Sequence, residues 1–283
     1  MTQHFELMVE NAPAPAGKLT VVAPWDGSEI ATVDTGDERH VEAALTAAQA
    51  CYENRDGWLP VHERVALLGR IADLMTAEQD DLAVAAAREG GKPLPDSRVE
   101  VARAIDGIHL CVEAIRSEQG QLIPMGGTAA GAERAAFTRR EPIGPVVAVS
   151  AFNHPLNLIV HQAAAAIAAG CPVIVKPAED TPLSCMRFVE IAREAGLAPA
   201  WCQALMTNDH GAAEALVTDP RVAFFSFIGS ARVGWMLRSK LAPGARCALE
   251  HGGVAPLFLA ADADFDLAVP SVAKGGFYHA GQV

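Results

Sequence analysis

Asn153, Lys176, Glu179, Ser230 and Glu250 lie along the second half of a 283-residue chain, each in a short segment of turn-forming residues. The segments are Phe152-Asn153-His154-Pro155, Lys176-Pro177-Ala178-Glu179, Phe227-Ile228-Gly229-Ser230 and Glu250-His251-Gly252-Gly253. A side-chain amide such as that of Asn153 can donate a hydrogen bond to charge developing on a carbonyl oxygen, worth about 3 kcal/mol in a dry site. Taken alone, Asn153 reads more simply as an Asx-turn residue capping the next helix. Lys176 and Glu179 bracket a proline after an apolar run, where a cation and a carboxylate can grip the hydroxyls of a ribose. Their alternative is a solvated ion pair of little energetic value. Gly229-Ser230 stands between an apolar run and a helical pattern, so its amides and hydroxyl can meet a pyrophosphate at that helix's N-terminus. A Gly-Ser turn also ends many strands, and no G-x-G-x-x-G fingerprint occurs in the chain. Glu250, before two glycines and with Pro256 closing the stretch, is the most specific of the set; its alternative is an exposed glutamate before a flexible turn.

An α/β rhythm supplies the elements that position these segments. Val146-Val147-Ala148-Val149 reads as a compact strand, Leu158 to Ala169 as an Ala-rich helix, Val173-Ile174-Val175 as a strand and Pro182 to Ala195 as a helix. Thr181 is placed to cap that helix, with Pro182 at its first position and Gly196 at its stop. Val222 to Phe227 forms another strand and Val233 to Leu241 another helix. Such alternation implies parallel strands with right-handed crossovers, and ligands of such sheets sit beyond the carboxyl ends of the strands. The first three segments fall there. Upstream, Lys18 to Val22 and Glu29 to Val33 flank the turn Pro24-Trp25-Asp26-Gly27 as a hairpin. Asp37 then caps a helix reaching about Asn54. Helical patterns follow around Leu67 to Leu74, from Leu82 to Arg88 with Gly90-Gly91 as the stop, and from Ser97 to Ser117.

Taken in order and at these separations, the four segments resemble those of the NAD(P)-dependent aldehyde dehydrogenase superfamily, and the resemblance runs from the early hairpin to Val283. It implies an α/β fold with a Rossmann-type parallel-sheet cofactor domain, a projecting oligomerisation hairpin and the start of a catalytic domain. The implied divisions are 1–120 for the amino-terminal part of the cofactor domain, 121–141 for the hairpin, 142–250 for the NAD-binding core and 251–283 for the catalytic portion. Asn153 becomes the oxyanion donor. Glu250 becomes the general base for deacylation, a role suited by partial burial that raises its pKa toward neutrality. Ser150, Phe152, Lys176, Pro177, Glu179, Phe227, Gly229, Ser230 and Gly252 fall to the cofactor. The negative charge of Glu179 disfavours a 2′-phosphate, which tilts the cofactor from NADP toward NAD. His251, where the family carries Leu, is a departure that bears on local packing.

The implied reaction is oxidation of an aldehyde to a carboxylic acid through a cysteine thioester. In the family the nucleophile follows a Gly-Gln-x stretch like Gly281-Gln282-Val283, so the expected cysteine falls at the position after Val283. None of Cys51, Cys111, Cys171, Cys185, Cys202 and Cys247 stands in that context, and their scattered spacing fits buried thiols without disulfide or metal. The competing reading is a catalytically silent dinucleotide-binding chain or an interrupted gene product. A reductase or CoA-acylating relative fits less well, because such relatives generally dispense with the glutamate. Phe152, His154 and the pair Leu156-Asn157 form a partial aldehyde wall, and the Asn-His-Pro-Leu-Asn run resembles more nearly that of relatives handling small, polar or anionic aldehydes. Met206-Thr207-Asn208-Asp209 stands where relatives often carry glycines near the adenine.

Composition is consistent with these expectations. The net charge of −12 and the absence of a Lys/Arg block argue against nucleic acid and anionic membranes as partners. Hydrophobic residues make up 51% of the chain, enough for a sizeable core. The amino terminus lacks a basic region followed by an apolar one, so a cytoplasmic protein is expected. A homodimer or homotetramer is implied through the hairpin.

Overall fold

The computed structural model describes residues 3–283. Its amino-terminal sheet has the order β1-β3-β2, built from β1 (Gln3–Phe5), β2 (Gly17–Val22) and β3 (Glu29–Thr35). β2 and β3 pair antiparallel as the hairpin the sequence suggests, and β1 joins β3 in parallel. Asp37 then caps α1 (Glu38–Glu53), accepting from the Arg39 amide at 3.0 Å. Three helices follow: α2 (Val61–Ala77), α3 (Gln79–Gly90) and α4 (Leu94–Ser117). Gly91 ends α3 at φ +62, a left-handed turn that a side chain would strain, with a Cβ also pressing on Pro24 at 3.1 Å. Lys92 enters the interior directly after that turn.

The 121–141 segment holds a short antiparallel pair, β4 (Leu122–Ile123) and β5 (Ala136–Phe137). Leu122 and Phe137, opposite each other in this pair, are 80% and 79% exposed, so its apolar face is open.

The remaining elements are β6 (Val146–Val149), α5 (Pro155–Ala169), β7 (Val173–Lys176), α6 (Leu183–Glu194), β8 (Cys202–Ala204), α7 (His210–Thr218), β9 (Phe224–Gly229), α8 (Ala231–Arg238), β10 (Arg246–His251) and α9 (Phe265–Phe277). Five of these strands form a wholly parallel sheet in the order β10-β9-β6-β7-β8. The chain winds outward from β6 to β8, then crosses back to lay β9 on the other side of β6. This reversal opens a crevice between the carboxyl ends of β6 and β9, where such sheets receive ligands. Both faces are covered along β6 and β7. Val146, Ala148, Val173 and Val175 point into a core shared with α2, α4, α5 and α6, while Val147, Ile174, Phe225 and Phe227 point into a second core with α1 and α7.

Several local expectations need correction. α5 begins at Pro155, three residues before the apolar pattern, because a proline lacking an N–H fits the first helical position. Thr181 does not cap α6; its hydroxyl donates to the Phe152 carbonyl at 2.9 Å. The cap comes from Glu89 on α3, whose carboxylate accepts from the Leu183 amide at 2.7 Å and the Ser184 amide at 2.9 Å. β8, α7, β10 and α9 add to the sequence reading. No helix among the described residues is long and apolar enough to cross a membrane.

Candidate active site

The loop after β6 is tied down from several directions. The Ser150 amide donates to the Lys176 carbonyl at 3.2 Å, binding the end of β6 to the end of β7. The carbonyl of Asn153 accepts from Lys92 Nζ at 3.0 Å and is 2.8 Å from His279 Nε2. Asn153 Nδ2 donates to the Gln282 carbonyl at 2.8 Å, and Gln282 Nε2 donates to the Gly90 carbonyl at the same distance. The amide of Asn153 is therefore held in one direction, with one N–H still uncommitted.

Beneath this loop lies a charged cluster that sequence reasoning missed. Lys92 is bonded to Glu100, and both side chains are fully buried. The other Glu100 oxygen accepts from the Leu156 and Asn157 amides at 2.9 and 3.1 Å, capping α5 from α4. His154 and His279 stack with ring centroids 3.9 Å apart. Burial first, then the neighbouring His279, Lys92 and Arg103, push the His154 pKa down to about 4, so this imidazole stays neutral. Burial likewise lowers that of His279. His279 and Ala280 adopt left-handed backbone at φ +56 and +57, a strained turn that brings His279 under Asn153. Glu100, His154 and His279 bring metal-ligand atoms within 4.8 Å of one another. The ammonium of Lys92 already balances the glutamate there.

The second and third segments line the same edge. Lys176 is buried at the end of β7 with its ammonium 3.3 Å from the exposed Glu179, and Pro177 between them is buried. The Ser150 hydroxyl is buried without a hydrogen-bond partner, and Phe152 is 46% exposed beside it. The partnerless hydroxyl and the ammonium with one long partner leave hydrogen-bonding capacity unused at this edge. Ser230 caps α8 through Val233 at 3.4 Å. A Cβ at Gly229 would lie 2.7 Å from the ring of Phe227, so a side chain there would displace that ring. Phe227 itself is buried, so it forms a floor under this turn and offers a ligand no open face.

The fourth segment differs from expectation. β10 brings Glu250 to the carboxyl edge, in register with Ile228 of β9. Yet Glu250 is exposed, against the partial burial expected of a base with a raised pKa. β10 is an edge strand, and Arg246, Ala248 and Glu250 alternate onto a face that no described helix covers. Gly252 is equally open, with nothing within 4 Å of a built Cβ. His251 packs edge-on against Trp235 at 5.3 Å and Phe227 at 6.2 Å, and the absent side chain of Gly234 makes room for its ring.

Other expectations are displaced by packing. Leu156 and Asn157 are buried in the first turn of α5 and cannot wall an aldehyde pocket. Met206 is buried in the core, its carbonyl accepting from Gly36 at 2.8 Å, and Asp209 caps α7 through Ala212, also at 2.8 Å. None of the six cysteines sits on the loops after β6 or β9. Burial pushes the thiol of Cys51 up to about 11 and that of Cys202 to about 12, and raises those of Cys111 and Cys185 as well.

Residues 12–283 match the aldehyde dehydrogenase family. The 3-sulfolactaldehyde dehydrogenase of Priestia aryabhattai is 32% identical over 268 residues, covering 95% of this chain and 55% of that protein. The NAD-dependent aldehyde dehydrogenase of Sinorhizobium meliloti superposes with a TM-score of 0.90 at 30% identity, over 100% of this chain and 56% of that one. The glyceraldehyde-3-phosphate dehydrogenase of Methanocaldococcus jannaschii, solved with NADP, superposes with a TM-score of 0.85 at 32% identity, over 94% and 57%. The chain thus spans about half the length of the curated relatives it matches. With a family match across nearly all its residues and the fold of solved dehydrogenases, this chain belongs to the aldehyde dehydrogenase family.

Proposed function

We propose that this chain binds NAD along the carboxyl edge of its parallel sheet and contributes Asn153 and Glu250 to the oxidation of an aldehyde to a carboxylic acid through a cysteine thioester. The observation that carries the reading is the loop after β6. There the Asn153 amide is fixed by its neighbours with one N–H to spare, beside the unspent Ser150 hydroxyl and the Lys176 ammonium. NAD, when bound, supplies the hydride acceptor. Lys176 and Glu179 take the hydroxyls of its ribose, while Gly229 and Ser230 offer backbone and hydroxyl donors to the pyrophosphate at the start of α8. Glu179 opposes an added 2′-phosphate, which favours NAD over NADP. Asn153 stabilises charge on the carbonyl oxygen, and Glu250 takes the proton of the attacking water.

A small anionic aldehyde is the substrate class we favour. Two of the similar proteins are named for 3-sulfolactaldehyde and glyceraldehyde-3-phosphate, both anionic. The exposed apolar pair Leu122 and Phe137 suits the hairpin to pairing with a second copy.

A second reading for the 283 residues by themselves is a dinucleotide-binding unit without turnover. It is favoured by the exposure of Glu250 and by the absence of the six cysteines from the loops after β6 and β9. Following NADH formation from anionic aldehydes separates the two. Turnover that falls in Asn153→Ala and Glu250→Gln supports the first reading; saturable NAD binding without turnover supports the second; neither binding nor turnover defeats both.

A further inference from the structure

We propose that Lys92, held by Glu100, is a positioning residue for Asn153. The inference rests on the reading of Asn153 as the donor to a developing oxyanion. Lys92 lies in the connection between α3 and α4 and Glu100 within α4, and neither side chain reaches solvent. Together they grip the chain on both sides of Asn153. The Lys92 ammonium donates to the Asn153 carbonyl at 3.0 Å, while Glu100 accepts from the Leu156 and Asn157 amides just beyond Pro155. His279 Nε2 lies 2.8 Å from the same carbonyl, so both lone pairs of that oxygen have a donor at hand and the peptide plane is fixed.

Burying two opposite charges takes both from water, and an apolar pair of similar volume commonly stabilises a fold as well or better. Stability alone therefore does not require this pair. Its geometry points to orientation: with the peptide and the first turn of α5 fixed, only the side-chain torsions of Asn153 remain, and the Gln282 carbonyl sets those. The cluster of Glu100, His154 and His279 is not read as a metal site, because the lysine ammonium already contacts the glutamate.

The test uses the 283-residue protein labelled with ¹⁵N-asparagine, of which the chain has five. Asn153→Ala identifies the Asn153 side-chain signals by their loss. The charge-neutral double variant Lys92→Met with Glu100→Gln removes the pair while keeping volume. Expected in that variant are Asn153 amide shifts moving toward those of exposed asparagine, with hydrogen exchange at least ~10-fold faster. NAD affinity is expected to stay within about 2-fold, since the cofactor residues do not contact the pair. A folded double variant whose Asn153 signals match the parent overturns the proposal. If that variant fails to fold, ¹⁵N-lysine labelling of the parent decides: a slowly exchanging Lys92 ammonium with cross-relaxation to the His154 amide is expected, and its absence overturns the proposal. Loss of NAD binding in the parent defeats the cofactor reading instead and leaves the amide result standing. Wherever the parent turns over aldehyde, the double variant should lose kcat by up to ~100-fold at unchanged KM for NAD; unchanged kcat overturns the proposal.

Discussion

The loop after β6 and the end of β10 carry the two candidate catalytic side chains, and they are built in opposite ways. Asn153 is held by bonds to Lys92, His279 and Gln282, above a buried ion pair. Glu250 stands on an uncovered face of an edge strand, and no side-chain hydrogen bond fixes it among the described residues. A donor to an oxyanion must be preorganised, because its value comes from being aimed before charge appears. A general base needs a pKa matched to its task as well as a position, and burial is one way to raise it. The difference sets a candidate donor that this chain holds in place against a candidate base left open on an edge strand.

The largest expected effect contrasts these two regions directly. Lys92→Ala leaves Glu100 buried and uncompensated and should cost about 3–5 kcal/mol of stability. Glu250→Gln should change stability by less than ~0.5 kcal/mol, as for other exposed substitutions. Urea denaturation of both variants measures this, and similar losses in the two would erase the contrast.

The pH dependence sharpens it further. Burial raises the Glu89 pKa from 4.5 to about 7, so between these values the folded state binds more protons than the unfolded one. Stability from Glu89 is thus fully present below pH 4.5 and lost as pH rises toward 7. His154 has the opposite sign: its pKa falls from 6.5 to about 4, the unfolded state binds more protons between them, and stability is lost as pH falls through that window. In urea midpoints against pH, Glu89→Gln should remove the first slope and His154→Phe the second. Parallel pH curves for parent and variants would show that neither group titrates as its burial implies.

Smaller effects belong to the cofactor edge. Gly229→Val sets a side chain against Phe227 and should weaken NAD binding by ~10-fold or more in a fluorescence titration, with a distorted turn as the cause. Glu179→Gln is the mildest change. It should raise NADP affinity relative to NAD by only about 2- to 5-fold, because Glu179 is exposed and screened. Tighter NADP than NAD binding in the parent would overturn the charge argument.

The apolar runs at β6, β7 and β9 were readable because central parallel strands are buried on both faces and need continuous hydrophobic sequence. β8 has only three residues, with Gln203 at its centre, buried because its amide donates to the Ala44 carbonyl at 2.9 Å. β10 alternates Arg246, Cys247, Ala248, Leu249, Glu250 and His251, and that period of two was the signal available for an edge strand. The four segments were visible as turn chemistry after strands. Lys92, Glu100 and Glu89 were not, since a buried charge is spelled like a surface one. Their partners lie far along the chain: Lys92 reaches residue 153, and Glu89 reaches 183 and 184. The cap of α6 was misassigned for the same reason. Local sequence offered Thr181, while the fold brought a carboxylate with two acceptor oxygens from another helix.

Titrating NAD into the 283-residue protein, followed by tryptophan fluorescence, tests the central claim that the carboxyl edge of the sheet is a formed cofactor site around Lys176 and the loop after β6. The account predicts saturable one-to-one binding, weakened in Lys176→Ala and retained in Glu250→Gln. Absence of saturable binding by the folded protein, or equal binding in Lys176→Ala, would contradict it.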